Sequence, residues 1–130
     1  MREIKFRARG QVGRKIWYYG LLTSLGENVC HVKDENIMHE YICDTDTLGQ
    51  YTGVKDKKGK EIYEGDIVKA IVEGSLSEII CKVIYMNGAF CQDIGDPIYY
   101  PIIWNNTSTE VIGNIYNNPD LLGRIGKEEQ

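Results

Sequence analysis

The chain has 130 residues, 42% hydrophobic and 26% charged, which is enough for one domain with its own core and excludes disordered and fibrous classes. The net charge of −4 hides an asymmetry: residues 1–20 hold Arg2, Lys5, Arg7, Arg9, Arg14 and Lys15 against Glu3 alone, which leaves −9 on the other 110. That balance allows an anionic partner at the N-terminal end and works against general nucleic-acid affinity elsewhere.

From Glu3 to Arg9 the residues alternate, with Ile4, Phe6 and Ala8 on one face and Lys5, Arg7 and Arg9 on the other, the period of a half-buried strand. Gly10–Gly13 supplies a turn, and Lys15–Leu22 predicts a second strand rich in aromatic and aliphatic side chains. Residues 29–43 read two ways: Ile37, Met38, Tyr41 and Ile42 fit one helical face, while Val29–Val32 fits a short strand. Leu48–Tyr51 predicts a strand, followed by an exposed charged loop from Val54 to Lys60.

Glu64-Gly65-Asp66 predicts a tight turn into a β-branched strand, Ile67–Val72. Ser77–Met86 and Ala89–Asp93 flank Asn87-Gly88, the pair favoured where both central residues of a two-residue hairpin loop need positive φ. Tyr99–Trp104 gives another short run and Asn105–Thr109 a polar loop. Glu110–Tyr116 gives a last strand in which Gly113 predicts a bulge or a close backbone approach. Asn118-Pro119 then opens one capped helical turn before a frayed tail, Lys127–Gln130.

These elements predict a mainly β fold (β-rich α+β) of short antiparallel strands with few short helices. The part from Gly65 onward is expected to form a small barrel or rolled sheet. A single domain spans 1–130; the alternative is a division near 46–60 into an N-terminal lobe and a small β-barrel-like lobe. The longest apolar run, Ile16–Leu22, is far short of the ~20 residues of a membrane-spanning helix, and the charged start predicts no export signal. Four cysteines without a C-x-x-C pair (Cys30, Cys43, Cys81, Cys91) predict reduced thiols in a cytoplasm. Without export, the acceptor-like Asn106-Thr107-Ser108 has no consequence.

Thr47-Leu48-Gly49-Gln50-Tyr51-Thr52-Gly53, with Asp56-Lys57-Lys58-Gly59-Lys60-Glu61-Ile62-Tyr63-Glu64-Gly65-Asp66-Ile67-Val68, resembles the central signature of the YopX family. Glu110–Pro119 is similar to its C-terminal signature, and Arg2–Ala8 with Trp17 and Gly20 to its opening. The resemblance implies an origin in phage or prophage genomes of Gram-positive hosts, hence a bacterial cytoplasm, and a β-dominated fold. It brings no reaction, ligand or catalytic residue with it. Gly49, Gln50, Tyr51, Gly53, Gly59, Gly65, Asp66 and Gly113 are therefore read as structural. Gly53, Gly59 and Gly65 can take positive φ, and Asp56 and Asp66 can accept from nearby backbone amides.

Three sets of residues carry candidate chemistry. Cys30, His39 and Cys43 are zinc-ligand types, but their spacing forms no ligand knuckle, so no metal or other cofactor is expected. Asp56, Glu61, Glu64 and Asp66 hold enough carboxylates for a magnesium site, yet lysines interrupt them throughout, as on a solvated mixed-charge surface. No phosphate loop or nucleophile elbow is present and no catalytic residue is assigned. Lys5, Arg7 and Arg9, ~6.6 Å apart along one strand face, can track phosphates with Trp17, Tyr18 or Tyr19 as stacking surfaces. The same charges would also protect an edge strand from aggregation. Nine tyrosines and two tryptophans favour interfaces. The expectation is a non-enzymatic accessory protein that binds a phage or host protein or a second copy of itself, with nucleic-acid binding through Lys5, Arg7 and Arg9 as the alternative and no membrane partner. A metal-dependent enzyme is the third reading.

Overall fold

The described residues form eleven strands. The structure, a computed structural model, describes residues 3–13, 15–71, 78–86, 88–93, 99–101 and 109–124. The strands are β1 (Phe6–Arg9), β2 (Trp17–Leu25), β3 (Val29–Lys33), β4 (Glu40–Asp44), β5 (Gly49–Lys55), β6 (Glu61–Tyr63), β7 (Asp66–Ile71), β8 (Glu78–Met86), β9 (Ala89–Asp93), β10 (Tyr99–Pro101) and β11 (Glu110–Asn114). Of these, β3 shows the clean in-out alternation of a half-buried strand, while others, β1, β8 and β9 among them, bury adjacent residues. All assigned pairings are antiparallel. Two 3-10 turns, Thr45–Thr47 and Pro119–Arg124, are the only helical elements among the described residues. The chain divides into two compact units, Met1–Tyr51 and Thr52–Gln130, with the boundary inside β5.

In the first unit the strands lie in the order β4-β3-β2-β1-β5. β1 is an inner strand, paired with β2 (Arg7↔Tyr19, Arg9↔Trp17) and with β5 (Arg7↔Gly49), so the edge-protection reading of its cations does not hold. The expected apolar face is kept at Ala8, which is fully buried, but Ile4 is exposed. An isolated bridge, Gly10↔Cys43, with the Gln11 N–H donating to the Ile42 carbonyl at 3.0 Å, ties the end of β1 to β4. The first four strands therefore curl around Ala8, Cys30, Val32 and Cys43, with Tyr18 and Leu22 packed against them.

The ambiguous stretch 29–43 is a hairpin, not a helix. The Asp34 carboxylate accepts from the Asn36 and Ile37 N–H groups at 2.8 and 3.2 Å, and Met38 has a left-handed φ of 60°. Bonds of this kind serve a turn or a helix start alike, and it is the β3–β4 pairing that makes this one a hairpin. Val29↔Asp44 to Lys33↔Glu40 then pair in uninterrupted register.

In the second unit β5 ends in a turn to β6, and β10-β9-β8-β7-β11 form a separate sheet. This order has two ends; of the two forms expected from Gly65 onward, a small barrel or a rolled sheet, no pairing among the described residues closes it into a barrel. Val68, Ile79, Cys81, Val83 and Phe90 pack with Ile62 as its core. Met86↔Ala89 confirms a two-residue loop at 87–88, where Gly88 has φ 82°; Asn87 lies outside the described residues. The bulge predicted around Gly113 is present as a register shift between Val111 and Gly113. Pro119 opens its 3-10 turn as expected. The Asn105–Ser108 part of the polar loop and the Lys127–Gln130 tail also lie outside the described residues.

Candidate functional site

The cationic face of β1 is assembled, but in a different setting from the one its pattern suggests. Arg7 is only 4% exposed, and its guanidinium carbon lies 4.8 Å from the Trp17 ring centre. Arg9 lies 6.0 Å from the same ring, and the Lys5 ammonium sits 5.7 Å from the Tyr51 ring and 3.5 Å from Glu3. Register explains this: Arg9 faces Trp17 directly across β2, and the Tyr51 N–H donates to the Lys5 carbonyl at 2.7 Å. Cations at such ring faces are attracted by the ring quadrupole. The aromatics that the sequence offered as stacking platforms are thus partly occupied by this face's own cations. Arg2 and Arg14 lie outside the described residues.

Of the three weak metal candidates, two are brought together and His39 is held by Tyr41. Cys30 and Cys43 face each other across β3 and β4, both fully buried and reduced. His39 packs instead against Tyr41, with ring centres 4.5 Å apart. Burial pushes both thiols up, Cys43 to about 11, so each carries its proton at neutral pH. Among the described residues no three His, Cys, Asp or Glu side chains converge as a metal set would require.

The carboxylates of the central signature are engaged with the backbone. The Asp66 carboxylate accepts from the Tyr63 N–H at 2.8 Å across the turn at Gly65, whose φ is 95°. One Asp56 oxygen accepts from the Lys58 and Lys60 N–H groups and the other from Val111 N–H, each at 2.9 Å. Burial raises the Asp56 carboxyl, but the amides of Val111, Lys60 and Lys58 and the Lys60 charge outweigh it and hold it below the usual range. Asp56 is 5% exposed, against the expectation of an exposed loop; Lys57 and Lys58 do face solvent, pairing with Glu110 at 3.6 and 2.8 Å. Gly53 and Gly59, at φ 89° and 84°, complete the positive-φ set.

The C-terminal signature is likewise a turn. Asn114 Oδ1 accepts from the Tyr116 and Asn117 N–H groups at 3.0 and 2.8 Å, and Asn118 Oδ1 accepts from Asn114 N–H at 3.1 Å. A Cβ at Gly113 would collide with the Asn118 side chain. Sequence reasoning missed Thr47, whose buried hydroxyl accepts from Arg9 N–H at 2.8 Å and donates to the Asp44 carbonyl at 2.7 Å. Its place at the start of the central signature was the available signal.

Two surface features of the first unit have the reach to meet a ligand. One is an open cleft of about 330 Å³ lined by Glu3, Lys5, Tyr19, Asp34 and Glu35. The other is the outer face of the curled sheet, where Tyr19, Leu21 and Ile42 are 45%, 43% and 51% exposed. Of the exposed large apolar side chains among the described residues, only Tyr85 belongs to the second unit.

No helix among the described residues is long and apolar enough to cross a membrane. A family described as YopX protein matches residues 5–123. The chain is 36% identical over 70 residues to the SPbeta prophage-derived uncharacterized protein YopX of Bacillus subtilis (strain 168); that match covers 50% of this chain and spans about half, 52%, of the relative's length. Protein EF1440 from Enterococcus faecalis, known from a crystal structure, is similar over 94% of this chain and 99% of its own at 25% identity, with a TM-score of 0.58. With the family match running through nearly the whole chain, both signatures included, the protein belongs to the YopX family.

Proposed function

We propose that this protein is a non-enzymatic accessory factor of a phage or prophage, and that it acts by binding another protein, of the phage or of its host, in the bacterial cytoplasm. The observation that carries this reading is that the first unit turns Tyr19, Leu21 and Ile42, each partly exposed, onto one sheet face, and that among the described residues most exposed large apolar side chains lie on this unit. Exposed apolar and aromatic side chains on one sheet face, here with His31 and Lys33 between Leu21 and Ile42, are a feature of interaction surfaces, where such anchors supply much of the binding energy. The prophage origin of the Bacillus subtilis relative supports the setting. The alternative, nucleic-acid binding through Lys5, Arg7 and Arg9, is less well supported: Arg7 is nearly inaccessible, and Lys5 and Arg9 lie over aromatic rings. A phosphate-tracking surface needs its cations in solvent.

Affinity capture of the tagged protein from prophage-induced cells, with and without nuclease, separates the two. A stoichiometric protein that survives nuclease treatment is the expected result. Recovery that vanishes with nuclease would overturn the reading in favour of nucleic acid.

A further inference from the structure

Two of the four cysteines stand directly opposite each other, a relation their spacing of thirteen residues does not announce. Cys30 and Cys43 are register partners in the β3–β4 hairpin, both side chains turn into the interior of the curl, and both are fully buried and reduced. Directly opposed residues of an antiparallel pair place their Cβ atoms about 4.5–5.5 Å apart. A disulfide needs Cα atoms about 4.4–6.8 Å apart and Cβ atoms about 3.5–4.5 Å apart, so a small adjustment of the ladder brings the sulfurs within bonding reach. Neither remaining cysteine has such a partner: Cys81 faces Val68, and Cys91 faces Ile84 on one side and Pro101 on the other.

We propose that Cys30 and Cys43 form a reversible redox pair, closing to an intramolecular disulfide when the cell's low-molecular-weight thiol pool becomes oxidised. Access comes from β4, a five-residue strand at the end of its sheet order, held on its outer side by the Gly10↔Cys43 bridge and the Gln11–Ile42 hydrogen bond. Short strands at a sheet margin open locally more readily than inner ones. Once β4 opens, one cysteine loses its proton to solvent and its thiolate attacks a small disulfide, forming a mixed disulfide and expelling one small thiolate. The second cysteine, also deprotonated, attacks the protein sulfur of that mixed disulfide and expels the other small thiolate. Two electrons pass from the cysteine pair to the small disulfide, and the two protons end on the two released thiols.

The closed form staples β4 to β3 beside the outer-face pair His31↔Ile42. Oxidation would thereby fix the backbone that carries Ile42. The proposal does not depend on which partner, if any, occupies that face.

The test uses the full chain, reduced, desalted and incubated with oxidised glutathione, then read by intact mass and by peptide mapping after alkylation. The expected result is loss of two hydrogen masses, a single Cys30–Cys43 linkage, Cys81 and Cys91 still alkylated, a raised thermal midpoint, and full reversal by dithiothreitol. The Cys81→Ala/Cys91→Ala variant should oxidise identically, and Cys43→Ala should stop at a glutathione adduct on Cys30. Glutathione adducts without an internal linkage in the wild-type chain, a linkage through Cys81 or Cys91, or no reaction at all would overturn the proposal.

Discussion

Replacing Asp56 by Asn tests whether one carboxylate joins the two family signatures. The side chain accepts from three backbone N–H groups, two in its own turn and one on Val111, fifty-five residues away. A hydrogen bond to a charged group contributes about 1.5–3 kcal/mol. Asn keeps one acceptor oxygen and turns an amide N–H₂ toward donors, so at least one of these bonds is lost and the expected cost is about 2–3 kcal/mol. With a urea slope of about 1–3 kcal/mol per molar, the unfolding midpoint should fall by roughly 1 M. The pH dependence carries the sign. The folded carboxyl lies below its ordinary 3.8, so its contribution is complete above that value and is lost as pH falls through the lower, folded one. The two proteins should therefore differ most near neutrality and converge in strong acid. Urea titrations followed by circular dichroism at pH 7 and at pH 2–3 check this. Equal midpoints at pH 7, or a gap that persists undiminished in acid, would refute the role given to Asp56.

Gly113→Ala should lower the thermal midpoint, at a cost of about 1–3 kcal/mol, because the added methyl meets the Asn118 side chain. At Gly59, where φ is 84° but the space beside it is open, Asn should be tolerated and Val should destabilise by about 1–2 kcal/mol, also read by thermal melting. Arg7→Ala should cost about 2 kcal/mol or more, shown by urea unfolding, and should shift Trp17 emission, whereas an exposed phosphate-tracking arginine would do neither. In native protein a thiol reagent should label Cys43 before Cys81, because burial pushes Cys81 higher still, to about 12, on a strand flanked on both sides. Mass mapping of the partly labelled chain checks the order.

What the sequence disclosed was mostly local. Turn chemistry at Asp56, Gly59, Gly65 and Asp66, the hairpin loop at Gly88 and the bulge near Gly113 each depend on neighbours a few residues away, and each is found. That β1 is a strand was legible too, but neither the burial of Arg7 beside Ala8 nor its place in the sheet: only the pairing of Arg7 with Gly49 makes it an inner strand, and that contact spans more than forty residues. The bridge between Gly10 and Cys43 that draws the first unit's strands round was not expected, again a non-local contact without a motif. In 29–43 periodicity favoured neither reading, and the pairing of Val29–Lys33 with Glu40–Asp44, which periodicity does not encode, decided it. The exposed apolar residues of the outer face were foreshadowed only by the abundance of aromatics, since the pairings that put Tyr19, Leu21 and Ile42 on one face are not encoded in composition.

The most direct test of the proposed binding role is the affinity of the captured protein partner, once purified, for the wild-type chain and for a Tyr19→Ser/Leu21→Ser/Ile42→Ser variant, with circular dichroism confirming that the variant is folded. Removing three exposed apolar anchors should weaken binding by at least about tenfold, or roughly 1.4 kcal/mol. Unchanged affinity in a folded variant would contradict the assignment of that face.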